Sequence, residues 1–162
     1  MAQQHHYQRR ALPAAGYRRR PEARLAAVFG QGDVLVHNVD ILSDVDFSAV
    51  ERHHKAEKNL VTLCVSARQT KRLLLFGEDG RLKGRAASNG VRVLAFSGIS
   101  VVSPELFDLL PEAKEPYPII DEYIRLANAG YRIGCYEHSP EHWLDVGKPE
   151  AIEKAKGYGF KV

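Results

Sequence analysis

The sequence predicts an α/β domain built on a mixed sheet, and three observations carry that reading. Two short β-branched runs are separated by one helix-length polar stretch, an acidic glycine turn joins two further strand-like runs, and strands then alternate with helices toward the C-terminus. Val34-Leu35-Val36-His37-Asn38-Val39 reads as a buried strand that ends at Asp40. Residues 48–58 have the polar composition of an exposed helix, and Leu60-Val61-Thr62-Leu63-Cys64-Val65 is a second buried strand. A strand–helix–strand unit of this spacing favours parallel strands joined by a right-handed crossover. Residues 72–76 and 81–83 flank Glu78-Asp79-Gly80, whose Asp-Gly suits the left-handed positions of a hairpin turn, so the sheet is expected to be mixed.

Residues 91–97 and 99–102 are strand candidates broken at Gly98, where a backbone or ligand can approach closely. Ser103 as N-cap and Pro104 at the first helical position open a helix that stops near Pro111. Ile120, Tyr123, Ile124 and Ala127 fall at helical spacing within 119–129, and Gly130 closes that helix. Residues 131–136 return as a strand. Trp143-Leu144-Asp145-Val146-Gly147 is a tight apolar segment around one carboxylate, and Pro149 begins a last helix reaching about Lys156.

The 162 residues suit one domain, with 44% hydrophobic and 27% charged residues, which is ordinary globular composition. Residues 1–32 stand apart: Pro13, Gly16, Pro21, Gly30 and Gly32 lie among Arg, Gln and Ala with no sustained period, and this segment is expected to be disordered. The folded domain is expected over 33–162. Residues 1–24 carry six arginines against one glutamate, net +5, while the remainder holds 17 basic and 19 acidic residues, net −2. A basic arm whose only aromatics are Tyr7 and Tyr17 is a poor nucleic-acid platform, so no nucleic-acid partner is expected. No apolar run approaches the roughly 20 residues of a bilayer span, and the N-terminus lacks the apolar core of a secretory signal. A cytoplasmic protein without a membrane partner is the expectation. Cys64 and Cys135 have no neighbouring cysteine and read as buried thiols.

Chemistry is sought in acids at strand ends, because α/β sheets bind ligands beyond the carboxyl ends of their strands. Asp40 holds such a position, although on residue pattern alone the favoured reading is that Asn38 and Asp40 satisfy turn backbone groups. Asp145 could instead cap the helix that begins at Pro149. His53, His54, His138 and His142 invite a metal reading, but paired histidines on a polar helix and a histidine beside proline read as solvent-facing.

Five segments taken in order carry a resemblance. The run 34–42 resembles the Asn-x-Asp strand of the sugar-nucleotide pyrophosphorylases. Residues 73–84 resemble that family's leucine-rich strand, acidic Gly turn and Leu-x-Gly passage. Ala95-Phe96-Ser97-Gly98-Ile99-Ser100-Val101-Val102-Ser103-Pro104-Glu105-Leu106-Phe107 resembles its sugar-side strand and helix. Tyr117-Pro118-Ile119-Ile120-Asp121-Glu122-Tyr123 precedes a helix as in the family, and Trp143-Leu144-Asp145-Val146-Gly147-Lys148-Pro149-Glu150 is similar to its closing Trp-Leu-Asp-x-Gly-x-Pro-Glu motif. The sequence thus resembles the sugar-1-phosphate nucleotidyltransferases over about residues 33–157.

The resemblance implies a Rossmann-like mixed sheet flanked by helices, of the nucleotide-diphospho-sugar transferase type. It also implies transfer of a nucleoside monophosphate from a nucleoside triphosphate to a sugar-1-phosphate, with release of pyrophosphate. Such a reaction needs no general base, because the acceptor phosphate is already an anion; it needs two polyanions held in line. Mg²⁺ suits that demand, using one or two carboxylates with phosphate oxygens and water. Asp40 and Asp145 match the family's two metal-ligand positions, which requires the fold to bring them within one cation's reach. Gly98 matches a position where backbone lies against the acceptor; Asn38 and Ser97 lie beside it, and Lys148 could meet a phosphate. Arg81, Lys83 and Arg85 sit close to where the family places acceptor-phosphate contacts, although alternating charge on a solvated hairpin explains them equally.

The family's opening strand and its G-x-G-T-R loop followed by Lys-Pro, which cradles the triphosphate, have no counterpart in residues 1–32. The domain is therefore expected to be incomplete at its N-terminus. A truncated or out-of-frame product, a fragment completed by a second chain, and a diverged sugar-phosphate or partner-binding module are the explanations, the first being favoured. Exposed sheet edges would then favour self-association.

Overall fold

The computed structural model describes residues 32–85, 92–111, 117–139, 143–147 and 149–157. The order is β1 (Val34–His37), β2 (Ile41–Ser43), α1 (Phe47–Glu57), β3 (Val61–Ser66), β4 (Leu73–Phe76), β5 (Leu82–Gly84), β6 (Arg92–Val102), α2 (Leu106–Leu109), α3 (Ile119–Asn128), β7 (Ile133–Glu137), β8 (Trp143–Asp145) and α4 (Pro149–Gly157). The six-stranded main sheet runs β5-β4-β6-β3-β7, with β1 also paired to β6, and β2 and β8 form a separate two-stranded ribbon. The expectation for residues 1–31 lies outside the described residues.

Every residue of β3 is buried, Thr62 and Ser66 included, as a mostly apolar central strand covered on both faces requires. Its side chains alternate between two cores. Val61, Leu63 and Val65 join Leu74, Phe76, Leu106, Tyr123 and Leu126 on the face that α2 and α3 cover. Cys64 joins Ile41, Val50, Ile99 and Val101 on the face that α1 covers. Burying one large apolar side chain contributes roughly 1.5–3 kcal/mol, so these two layers hold the sheet between helices. Cys64 and Cys135 are both buried free thiols, as expected.

The sheet is mixed, but the expected β1–α1–β3 pairing is not made directly. β1 and β3 each pair antiparallel with β6, one on either side, so they share a direction with β6 between them. The direct parallel pair is β3 with β7. The Gly98 break is likewise absorbed: β6 is one long strand whose register against β3 shifts at the step from Leu63 to Val65, placing Ser97, Gly98 and Ile99 in a bulge. On the opposite side, β6 pairs with β4 over 92–95 and with β1 over 99–102, so its neighbour changes at the same bulge.

The β4–β5 hairpin turns at Gly80 with φ +71°; Gly80 is its only left-handed residue, and Asp79 is not. Asp46 caps α1, its Oδ1 accepting from Ala49 N at 3.1 Å. That helix is not the exposed one expected, because Val50 and His54 are buried beneath it. Ser103 does not cap with its side chain either. α2 has no side-chain cap, and the Ser103 hydroxyl is bonded instead to His54 Nε2, Asp33 and the Asn59 carbonyl.

Candidate functional site

β1, β3 and β7 run in one direction, and beyond their carboxyl ends lie Asn38 and Asp40, Arg68, and His138. A turn at 38–41, closed by Ile41 N donating to Asn38 O at 3.2 Å, sends the chain from β1 into β2. β2 then pairs antiparallel with β8, Ile41 opposite Asp145, and Val146 N donates to Asp40 O at 2.7 Å. This ladder brings together two acids about a hundred positions apart in the chain. A Cβ added to Gly147 would lie 3.1 Å from Asp145 Oδ1 and 3.2 Å from Asp40 Oδ2, so both carboxylates border the space that Gly147 leaves by lacking a side chain. Both acids are exposed. Asp145 Oδ1 also accepts from Gly147 N at 2.9 Å, an Asx turn that fixes its rotamer.

Beside the acids, the β6 bulge is held by side chains. Arg68 Nη2 donates to Phe96 O at 2.6 Å and Nη1 to Ala95 O at 3.5 Å, Trp143 Nε1 donates to Ser97 O at 2.8 Å, and Asn38 N donates to Gly98 O at 2.9 Å. Four successive carbonyls are thus satisfied from outside the β3 ladder. The Arg68 guanidinium lies over the Trp143 ring, 3.8 Å from its centroid. Burial lowers its pKa, and the Asp145 charge opposes that shift.

Ser97 is fully buried, with its hydroxyl accepting from Arg68 Nη1 at 3.2 Å and donating to His138 Nε2 at 2.7 Å. His138 Nδ1 donates to Ser139 O at 2.7 Å, which sets the tautomer that leaves Nε2 free to accept. Burial, reinforced by Arg68, pulls the His138 pKa down, so this ring is a structural acceptor rather than the solvent-facing group expected. Ser97 therefore braces the bulge from within. Gly98 adopts φ +76°, and a Cβ there would meet Asn38 Nδ2 and Ile41 Cγ1 at 3.0 Å each. The backbone approach expected at Gly98 is made by this chain's own Asn38 turn. Lys148 and His142 lie outside the described residues.

At the other end of the sheet, His54 is buried, with Nδ1 at 2.9 Å from Thr62 Oγ1 and Nε2 at 3.0 Å from Ser103 Oγ. The Ser103 hydroxyl proton goes to Asp33 or the Asn59 carbonyl, so Ser103 accepts from Nε2 and Nδ1 accepts from the Thr62 hydroxyl, which itself accepts from Asn59 Nδ2. Burial lowers the His54 pKa against the attraction of Asp33. His53 Nε2 contacts Cys135 O at 3.0 Å. The helix histidines thus tie α1 to the sheet instead of facing solvent. The basic residues of the hairpin are also engaged: Arg81 and Lys83 pair with Asp79, and Arg85 pairs with Asp121 at 2.9 Å. Among the described residues no group of three or more His, Cys, Asp or Glu converges.

No protein-family profile and no curated protein matches the sequence. Solved structures do match the fold. A Bacillus anthracis protein assigned as a glucose-1-phosphate thymidylyltransferase superposes with TM-score 0.63 at 16% identity, over 91% of this chain and 63% of its own. This is the sugar-1-phosphate nucleotidyltransferase fold. UDP-glucose pyrophosphorylase from Acinetobacter baumannii shares the nucleotidyltransferase fold with TM-score 0.62 at 16% identity, over 80% of this chain and 51% of its own. The inositol-1-phosphate CTP transferase of T. maritima follows with TM-score 0.59 at 13% identity, over 78% and 54%. The chain therefore spans between about half and 63% of the length of these nucleotidyltransferases. Among the described residues no helix is long and apolar enough to cross a membrane.

Arg68 was not singled out from the sequence, His138 was read there only as a solvent-facing histidine, and Gly147 only as part of the closing motif. An arginine two positions past the end of a mostly apolar strand is the signal that could have marked Arg68. His138 and Gly147 gain their meaning only from partners distant in the chain.

Proposed function

We propose that this chain carries the sugar-phosphate and metal side of a nucleotidyl transfer, in which a nucleoside triphosphate passes its nucleoside monophosphate to a sugar-1-phosphate and pyrophosphate leaves. The observation that supports it is the convergence of Asp40 and Asp145 on the empty side of Gly147. Two exposed carboxylates beside a cradle that a single methyl group would fill suit Mg²⁺, which takes one or two carboxylates and completes its shell with phosphate oxygens and water. When bound, the ion would neutralise phosphate charge as it builds during transfer.

The chain's own residues supply position. The β2–β8 ladder holds the two acids together, the Asx turn fixes Asp145, and the bulge at Gly98 seats Asn38 beside Asp40. Asn38 is the polar group on that rim for a sugar hydroxyl, and Lys148 is the candidate cation for a phosphate. Ser97 acts from within by bracing the bulge. A cytoplasmic location agrees with such substrates, and pairing between chains through a sheet edge is part of the same proposal.

The test is pyrophosphate release by the purified chain with Mg²⁺, the four nucleoside triphosphates and a panel of sugar-1-phosphates. The expected result is release that falls at least a hundredfold in Asp40→Ala and in Asp145→Ala. Saturable sugar-phosphate binding without turnover would instead favour a non-catalytic sugar-phosphate or partner-binding module.

A further inference from the structure

β8, which carries Asp145, belongs to a ribbon of two three-residue strands outside the main sheet. Two-stranded ribbons are marginal on their own, so the placement of Asp145 depends on what ties the ribbon down. The tie on the β8 side is Trp143, two residues before Asp145 and therefore on the same face of the strand. Its indole donates to Ser97 O in the bulge, and its ring lies under the Arg68 guanidinium. Arg68 in turn grips Ala95 O, Phe96 O and the Ser97 hydroxyl.

We infer that Arg68 is a positioning residue that clamps the β6 bulge to β8 through Trp143 and so sets the spacing between the Asp145 and Asp40 carboxylates. This rests on the reading of those two acids as the cation site. The planar fork is what the geometry uses: it donates to two successive carbonyls while its face covers an aromatic ring, and a lysine can do neither in that combination. Partners that orient metal ligands typically change metal affinity by about 10–100-fold when removed.

The experiment measures Mn²⁺ binding to the purified chain by the loss of its free electron paramagnetic resonance signal, with no nucleotide or sugar present. Trp143, the sole tryptophan, reports independently through its emission. Wild type is expected to bind Mn²⁺ and Asp145→Asn to lose it. Arg68→Met is expected to keep a cooperative melt, shift Trp143 emission to longer wavelength and weaken Mn²⁺ binding about tenfold. Arg68→Lys is expected to behave like Arg68→Met; restoration of wild-type affinity by lysine would mean that charge alone acts and would overturn the inference. If Arg68→Met does not fold, Trp143→Phe keeps the ring but removes the bond to Ser97 O, and it should weaken Mn²⁺ severalfold; unchanged affinity counts against the clamp. A wild type that binds no Mn²⁺ removes the cation-site reading and this inference together. Binding abolished by Asp145→Asn but untouched by Arg68→Met overturns the inference alone.

Discussion

Gly98 and Gly147 show how a missing side chain does different work at two positions. At Gly98 the backbone is left-handed and the vacant volume is filled by Asn38 and Ile41, so Gly98→Ala meets both strain and contact. We expect it to cost about 1–3 kcal/mol by urea denaturation. At Gly147 the φ is ordinary and the vacant volume faces the two carboxylates, so Gly147→Ala should leave the melting temperature within about 2 °C of wild type and weaken Mn²⁺ binding. His54 sets a pH dependence. Its folded pKa lies below the ordinary 6.5 because burial disfavours the charged ring, so the unfolded chain takes up the proton first. Stability is then fully present above about 6.5 and lost as pH falls below it, with His138 acting in the same sense. Melting temperatures measured from pH 7.5 to 5.0 should fall, and His54→Gln should flatten that slope even as it lowers the maximum.

Among the elements, α1 and the β2–β8 ribbon depend on different forces. α1 is anchored by the Asp46 cap and by the burial of Val50 and His54. Asp46→Ala should cost about 1 kcal/mol in thermal melts. Helix boundaries were readable to within a residue or two, because capping, glycine stops and apolar spacing are local signals. The role of Ser103 was not. Its place before Pro104 suits a cap, yet His54, Asp33 and the Asn59 carbonyl compete for the same hydroxyl, and the buried partners win. β6 likewise looked like two strands because a glycine interrupts it. Hydrogen bonds from Arg68, Trp143 and Asn38 across the bulge keep it one strand.

For the molecule as a whole, two apolar layers sandwich the sheet, and α3 closes the larger one through Tyr123 and Leu126. Leu126→Ala should destabilise by about 2–5 kcal/mol in denaturant unfolding, since a fully enclosed leucine leaves a cavity. Among the described residues β1 has a strand neighbour on one side only, β6. The proposed pairing between chains would show as a sedimentation coefficient that rises with concentration, and Val36→Lys on that strand should suppress the rise.

The α/β class, the mixed sheet and the hairpin turn at Gly80 were all legible along the chain, because each rests on neighbours within a few residues. The strand expected to run to Asp40 instead stops at His37, and Asp40 sits in the turn that follows, with Val39 exposed. The order of five short motifs was enough to point to the nucleotidyltransferase fold that the structural comparisons bear out. The meeting of Asp40 with Asp145 was expected only through the resemblance, not from local pattern, and the enclosure of Ser97 and His138 and the grip of Arg68 on the bulge were not legible at all. Those depend on β2 pairing with β8 and on a register shift between β3 and β6, contacts between segments far apart in the chain. Local propensity carries no information about such contacts, and only packing of the whole domain selects among them.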